Sequence, residues 1–250
     1  MSGFDLTVAI TAHAETVVSG PTMRSAEAAI AAAEAAGARV QRLLGLDNCT
    51  EGSRAYFRRP EFAGWEPHEF AFRDQGRSRN ALAEAAAGEA LAFLDGDDLF
   101  SENWLVEALK LLDQAEKDGA RIIVHPELNW VFDGGAFVMT LPGQSDPLFA
   151  PYYMGIANYY DALCAAPRRA WLERPYAERA VARGFAYEDW QWAIETMAAG
   201  WTHVAAPDTI IFKRRRDMSQ FVESRSNLVT IREIEATGID RIPLLGGGER

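Results

Sequence analysis

The segment Phe93-Leu94-Asp95-Gly96-Asp97-Asp98 places three carboxylates within four positions, directly after the apolar run Ala90–Leu94. Like charges this close disfavour one another's ionisation, so a strand tip carrying them calls for a cation or hydrogen-bond donors. All-oxygen ligands suit Mg²⁺ or Mn²⁺, which take one or two carboxylates and complete their shell with substrate phosphates and water. Gly96 would let the backbone approach a ligand closely. The competing reading is a turn followed by the acidic start of a helix, with Ser101 as its cap. A second acidic pair, Glu188-Asp189, lies between Tyr187 and Trp190 where an apolar helical stretch begins. An Asp so placed could take a proton from an attacking hydroxyl, or the pair could only complement the helix dipole. Tyr187, Trp190 and Trp192 would exclude water from such a site or pack as core.

Two basic clusters accompany these acids. Arg77-Ser78-Arg79-Asn80 opens a helix, where guanidinium and amide N–H groups suit a phosphate or carboxylate. Lys213-Arg214-Arg215-Arg216 follows a strand. A basic run is usually a solvated face, but here it could clamp a diphosphate or meet an anionic membrane surface. The chain as a whole has 25 Lys and Arg against 36 Asp and Glu, a formal charge of -11. That balance argues against a nucleic-acid partner. Cys49 and Cys164 are too few for a disulfide scaffold or a zinc site. The opening MSGFDLTVAI has no basic region before a long apolar stretch, so no signal peptide is expected, and no window is apolar enough for a spanning helix.

These groups need a scaffold, and 250 residues at 48% hydrophobic composition suit one α/β domain. Strands are expected at Leu6–Thr11, Val40–Leu46, Glu69–Phe72, Ala90–Leu94 and Arg121–His125. Helices are expected after Pro21 up to Gly37, over Ser78–Ala87, and over Glu102–Lys117 with Ser101 as N-cap. That alternation predicts a mostly parallel sheet flanked by helices, with ligands beyond the carboxyl ends of the strands, at 11–15, 47–48 and 95–98. Thr50–Pro67 reads as loop. In the second half the pattern predicts a hairpin over Leu128–Met139 around Asp133-Gly134-Gly135, a loop over Leu141–Gly155 and a mainly helical Asn158–Arg174. A helix over Glu188–Ala199 and two short strands, Thr202–Ala206 and Thr209–Lys213, separated by Pro207, complete it.

Four elements in this order carry a resemblance. They are the opening strand Leu6–His13, then Leu46-Asp47-Asn48, then the run from Arg79-Asn80 through Gly88 to Asp95-Gly96-Asp97-Asp98, and last Tyr187-Glu188-Asp189-Trp190 with the basic run after it. Over about residues 4–220 the chain resembles the GT-A-type, family 2 glycosyltransferases. The resemblance implies a GT-A (Rossmann-like) α/β fold in a single domain over 1–220. Residues 1–125 would be the nucleotide-sugar half, 126–220 the acceptor half and 221–250 a C-terminal extension. It implies Asp189 as catalytic base with Glu188 orienting the acceptor. Asp97, with Asp95, would hold Mn²⁺ or Mg²⁺, and Asp98 would support that site. Thr11, His13, Glu15, Asp47, Arg79, Asp95, Arg214 and Arg216 would contact the nucleotide sugar. The chain departs from the family in having Thr11-Ala12-His13-Ala14-Glu15 where many relatives have Pro-x-Tyr-Asn. It also has Lys213–Arg216 where several carry a metal-binding His, His203 being given a core or surface role rather than a metal.

The implied activity is inverting, metal-dependent transfer of a sugar from a nucleotide sugar to a saccharide or lipid-linked saccharide, in cell-surface polysaccharide synthesis. The implied setting is cytoplasmic, at the inner face of the membrane and without a transmembrane segment, with oligomer formation left open. Two alternatives stand beside it: a nucleotidyltransferase acting on sugar phosphates, and a non-catalytic sugar-nucleotide-binding domain. The first would want a Gly-rich, Lys-containing loop after the first strand, and Ala12–Pro21 has no Lys and only Gly20.

Overall fold

The structure, a computed structural model, describes residues 3–215 and 226–246. Its first half follows the expected alternation. Strand β1 (Phe4–Ala12) leads to helix α1 (Ser19–Ala35), β2 (Val40–Asp47), α2 (Glu51–Phe57) and β3 (Glu66–Phe70). Next come α3 (Gln75–Ala85), β4 (Gly88–Asp95), the short β5 (Leu99–Phe100) and α4 (Trp104–Lys117). The second half adds β6 (Ile122–Asp133), β7 (Phe137–Thr140), β8 (Ala165–Pro167), α5 (Arg169–Glu173), α6 (Glu188–Ala198) and β9 (Thr202–Arg215). One sheet runs in the order β3-β2-β1-β4-β8-β6-β9-β5, with β7 paired to β6. The strands from β3 to β4 are parallel, β8 is antiparallel to both its neighbours, and β6 and β9 are again parallel. The fold is thus a mixed α/β sheet between helices.

Strand alternation divides the core. On β1 and β4, Leu6, Val8, Ile10, Ala92 and Leu94 face α1 and α4 in one cluster. Ala9, Leu91 and Phe93 face α3, Trp171, Trp192 and Trp201 in the other. Helix α1 buries Met23, Ala26, Ile30 and Ala33, a stripe at helical spacing. Its alanines let it lie close to the sheet.

Several expectations are corrected. Thr50–Pro67 is not all loop: Thr50 Oγ1 accepts the Ser53 N–H at 3.1 Å and caps α2, and Phe57, Phe62 and Trp65 are buried. The third strand begins at Glu66, earlier than expected. Asn103, not Ser101, is the N-cap of α4. The Ser101 hydroxyl instead donates to Asn103 Oδ1 and accepts the Ile210 N–H, tying α4 to β9. Asn158–Arg174 is not mainly helical. Asn158 and Asp161 accept the backbone N–H groups of Tyr160 and Leu163, local bonds that compete with a helix, and Pro167 ends the short β8. Last, β9 is one strand across Pro207. A register shift absorbs the proline, and the Thr209 hydroxyl stands in for the ladder by accepting the Glu127 N–H and donating to Ala206 O. The hairpin at 128–139 is present as β6–β7. His203 is buried in the core, against His125 at 2.8 Å and Thr196 at 2.9 Å, as expected for a packing histidine.

The order 3-2-1-4 means that β1 and β4 diverge to opposite sides after their helices. A crevice therefore opens beyond their carboxyl ends, the place where such sheets bind ligands. Thr11 and Asp95 are partners in register at that point.

Candidate active site

Asp95 is the centre of the crevice. Its Oδ1 accepts Arg79 Nη2 at 2.6 Å, Gln75 Nε2 at 2.6 Å and Thr11 Oγ1 at 3.1 Å. Gly96 holds the turn: its N–H donates to Thr11 O, and its own carbonyl accepts Ser19 Oγ at 2.7 Å. A Cβ on Gly96 would lie 2.9 Å from Thr11 O and 3.2 Å from Ala12 Cβ. Gly96→Ala is therefore expected to push the end of β1 aside at a cost of about 1–3 kcal/mol, as overpacking does. Chemical denaturation measures it, and an unchanged midpoint would contradict the close approach.

Helix α3 brings Arg79 to Asp95 because Asp74 caps it, accepting the Arg77 N–H at 3.0 Å. Asp74 is positioned in turn by Asp47, whose two oxygens accept the N–H groups of Phe72, Arg73 and Asp74. Asp47 is thus a buried brace of the β3–α3 loop. Arg79 is only 3% exposed. Its Nη1 lies 3.5 Å from Glu188 Oε1, so one guanidinium joins the Asp95 motif to the start of α6. Burial disfavours its charge, but Asp95 and Glu188 more than offset this and keep it protonated. Burial would likewise lift Asp95, but the Arg79 and Lys213 cations outweigh it and hold the carboxyl below its usual range.

At the other side, Tyr187 adopts φ 61° and ψ 54° at the N-cap of α6, a left-handed conformation that a non-glycine residue adopts at a cost. This turn presents Glu188 and Asp189. Burial first, then the Glu188 and Asp161 charges, push the Asp189 carboxyl up to about 7, against the Trp190 N–H at 2.8 Å. Glu188 is raised as well, by burial working against Arg79. The cleft lined by Gln75, Arg79, Asp95, Asp161, Arg179, Tyr187, Glu188, Asp189 and Lys213 encloses about 120 Å³. A larger groove of about 760 Å³ lies at the opposite end of the sheet, between α1 and α4, away from these groups.

The structure brings together Thr11, Arg79, Asp95, Glu188 and Asp189. The other expected residues flank this group or point away from it, apart from Arg216. His13 is exposed, with its ring Nδ1 at 2.8 Å from Asp47 O, and its N–H donates to the buried Glu15 at 2.6 Å. Asp97 is buried, 8% exposed, between Asp95 and Asp98 in the chain. Asp98 accepts the Arg214 N–H at 2.7 Å and Lys213 Nζ at 3.2 Å. Burial, then Asp95 and Asp97, push Asp98 upward, while Lys213 and the Arg214 amide draw it back. The Arg214 guanidinium turns to Asp133 at the hairpin, and Arg216 lies outside the described residues. The sequence reading missed Gln75 and Asp161 and did not single out Lys213. Strand alternation was the available signal for Lys213, since neighbours in a basic run on a strand face opposite ways. Asp161 carried none, because its stretch read as helix.

Divalent metal chemistry can be tested against these groups. The donors to Asp95 all converge on Oδ1, and Asp97 lies two residues on, so the available ligands are carboxylate oxygens of the kind that Mg²⁺ and Mn²⁺ prefer. Among the described residues no group of three or more His, Cys, Asp or Glu is arranged to hold a metal alone. The residues therefore fit an ion that shares its shell with a phosphate-bearing ligand.

Comparison with known proteins agrees with this geometry. Residues 68–127, from β3 into β6 and including Arg79 and the Asp95–Asp98 run, match the family model Glycosyl transferase family 2. The mannosyltransferase PcManGT of Pyrobaculum calidifontis, in complex with GDP-Man and Mn²⁺, superposes with a TM-score of 0.61 at 13% identity. That alignment covers 89% of this chain and 61% of that one. S. aureus TarS 1-349 in complex with UDP-GlcNAc gives 0.58 at 13% identity, over 87% of this chain and 60% of that one. GalNAc-T7 with UDP, GalNAc and Mn²⁺ gives 0.59 at 15% identity, over 85% and 44%. No curated protein sequence matches the chain. The fold is that of the GT-A glycosyltransferases. Within it, the segment that carries Arg79 and the Asp95–Asp98 run is similar to the family 2 glycosyl transferases. The chain spans about 60% of the length of the first of these structures.

Proposed function

We propose that the chain is a nucleotide-sugar-dependent glycosyltransferase that inverts the transferred carbon. The observation that supports this best is that Asp189, its carboxyl lifted to about 7, shares one small cleft with Asp95 of the carboxylate run. In this reading the acceptor hydroxyl loses its proton to Asp189 as its oxygen attacks the anomeric carbon, and the nucleoside diphosphate leaves with the bonding electron pair. Glu188, fixed by Arg79, orients the acceptor. In the same reading Thr11 and Asp95, hydrogen-bonded to each other, contact the nucleotide. Asp97 with Asp95 would hold Mn²⁺ or Mg²⁺, which when bound neutralises charge on the diphosphate. The nucleotide sugars named for the TarS and PcManGT structures make UDP- and GDP-sugars the first donors to try. A saccharide or lipid-linked saccharide acceptor belongs to the same proposal. Among the described residues no helix is long and apolar enough to cross a membrane.

The test is a panel of UDP- and GDP-sugars with Mn²⁺, followed by release of nucleoside diphosphate and by thermal shift. Donor should protect the protein, and chelator should remove the protection. Protection indifferent to chelator would remove the metal from the proposal, and formation of nucleoside triphosphate and sugar phosphate once pyrophosphate is added would indicate nucleotidyl transfer. The pH dependence follows from Asp189 acting as the base. Below about 7 it is protonated and inactive, so kcat/KM is expected to rise about tenfold per pH unit and level off above that value. A profile flat from pH 5 to 8 would exclude Asp189 as the base.

A further inference from the structure

We infer that Lys213 is a catalytic residue of the proposed transfer, donating a hydrogen bond to the outer phosphate of the nucleoside diphosphate as it departs. This rests on the glycosyltransferase reading above. Lys213 projects from β9 into the cleft, with its Nζ 3.2 Å from both Asp98 Oδ2 and Asp161 Oδ2. Asp161 is held in turn by Asn129 Nδ2 at 2.7 Å. An ammonium has three N–H donors. Two meet these carboxylates, which fixes the nitrogen and leaves the third for an incoming oxygen. The side chain keeps 25% exposure at the cleft. Burial works against its charge, but Asp161, Asp98 and Asp95 outweigh it, so Lys213 remains a cation.

The other cations nearby are placed differently. Arg79 is 3% exposed and engaged with Asp95 and Glu188. Arg214 turns away to Asp133. Arg179 lines the cleft too, on the segment whose N–H donates to Asp74. It is therefore the control. Lys213 touches the last residue of the Asp95–Asp98 run, where the run meets the sheet's carboxyl ends, and that is where an anionic diphosphate must enter a chain of charge -11. In the step itself, the bond from the anomeric carbon to the phosphate oxygen breaks and its electron pair goes to that oxygen. The acceptor oxygen forms the new bond and its proton goes to Asp189. Lys213 keeps its proton throughout and stabilises the charge that appears.

The experiment compares UDP and GDP with UMP and GMP on the wild type, Lys213→Met, Lys213→Arg and Arg179→Met, by calorimetry with Mn²⁺ present. Turnover is measured with the donor that the panel selects. A single charge-assisted hydrogen bond corresponds to about a tenfold to hundredfold change in affinity. Lys213→Met is expected to weaken the diphosphate by about that factor and the monophosphate less than about threefold, and to lower kcat. Lys213→Arg, which keeps the charge, should recover part of both. The buried Asp98 and Asp161 could leave Lys213→Met unfolded, so Lys213→Met with Asp161→Asn is measured beside it and carries the same expectation. Equal weakening of di- and monophosphate, no weakening, or the selective loss appearing in Arg179→Met instead would overturn the assignment. A wild type that binds none of the four nucleotides would instead overturn the glycosyltransferase reading on which it rests.

Discussion

Asp189→Asn is expected to lower transfer by a factor of about 10²–10⁴, the usual worth of a positioned general base, and at the same time to make the folded protein more stable above pH 7. Both effects have one cause. The Asp189 carboxyl rises from 3.8 to about 7 because burial and the neighbouring Glu188 and Asp161 charges oppose its ionisation. A raised acid binds more protons folded than unfolded, so stability falls as pH climbs from about 4 to about 7, and the penalty is complete above that. Asn keeps the shape, still accepts the Trp190 N–H and carries no charge. A shift of this size is worth up to about 4 kcal/mol at 1.36 kcal/mol per unit. Sharing with Glu188 and the partial exposure of the cleft reduce the expected gain to about 1–2 kcal/mol, a few degrees in Tm for a chain of this size. Melting curves of both proteins should coincide near pH 4 and separate by pH 8. Separation at pH 4 alone, or a slower enzyme that is also less stable at pH 8, would contradict the argument.

The second large effect is at Arg79. Arg79→Met leaves Asp95 and Glu188 buried without their shared cation, and breaking a buried pair from one side costs about 3–5 kcal/mol. That corresponds to a fall of about 10 °C in Tm. The charge also holds the two ends of the cleft in register, so the survivors are expected to bind nucleotide poorly even below their melting point. Arg79→Lys keeps one charge but cannot span both carboxylates, and should fall between. Adding Asp95→Asn to Arg79→Met removes one orphaned charge and should restore part of the loss. Strict additivity of the two changes would show that the ion pair is not the source.

Local pattern and remote packing contributed differently to this protein. The strands β1, β2 and β4 were legible as continuous apolar runs, because a strand inside the sheet is buried on both faces, and the helices α1, α3, α4 and α6 because one buried face writes its period into the residue order. The carboxylate run was legible because it is contiguous; Gly96 read as room for a ligand, whereas the structure packs it against the Thr11 carbonyl. Asp189 stood out at the head of an apolar helix. Where sequence reading failed, side chains had replaced backbone bonds. Asn158 and Asp161 turned a predicted helix into tight loops, Thr209 carried β9 across Pro207, and Thr50 capped a helix in a stretch read as loop.

The sequence by itself therefore determined the layered α/β class, the acidic run at the tip of β4 and the acid pair at the head of α6. Contiguous residues and periodic burial do not depend on distant partners. Tertiary structure alone decided which charges share a cleft. Asp47 became a brace, and Arg79 became a buried link between Asp95 and Glu188. The basic run was divided by strand alternation, Lys213 to the cleft and Arg214 to the hairpin. An ion pair depends on distance in space, and Lys213 and Asp161 are 52 positions apart in the chain yet 3.2 Å apart in the fold.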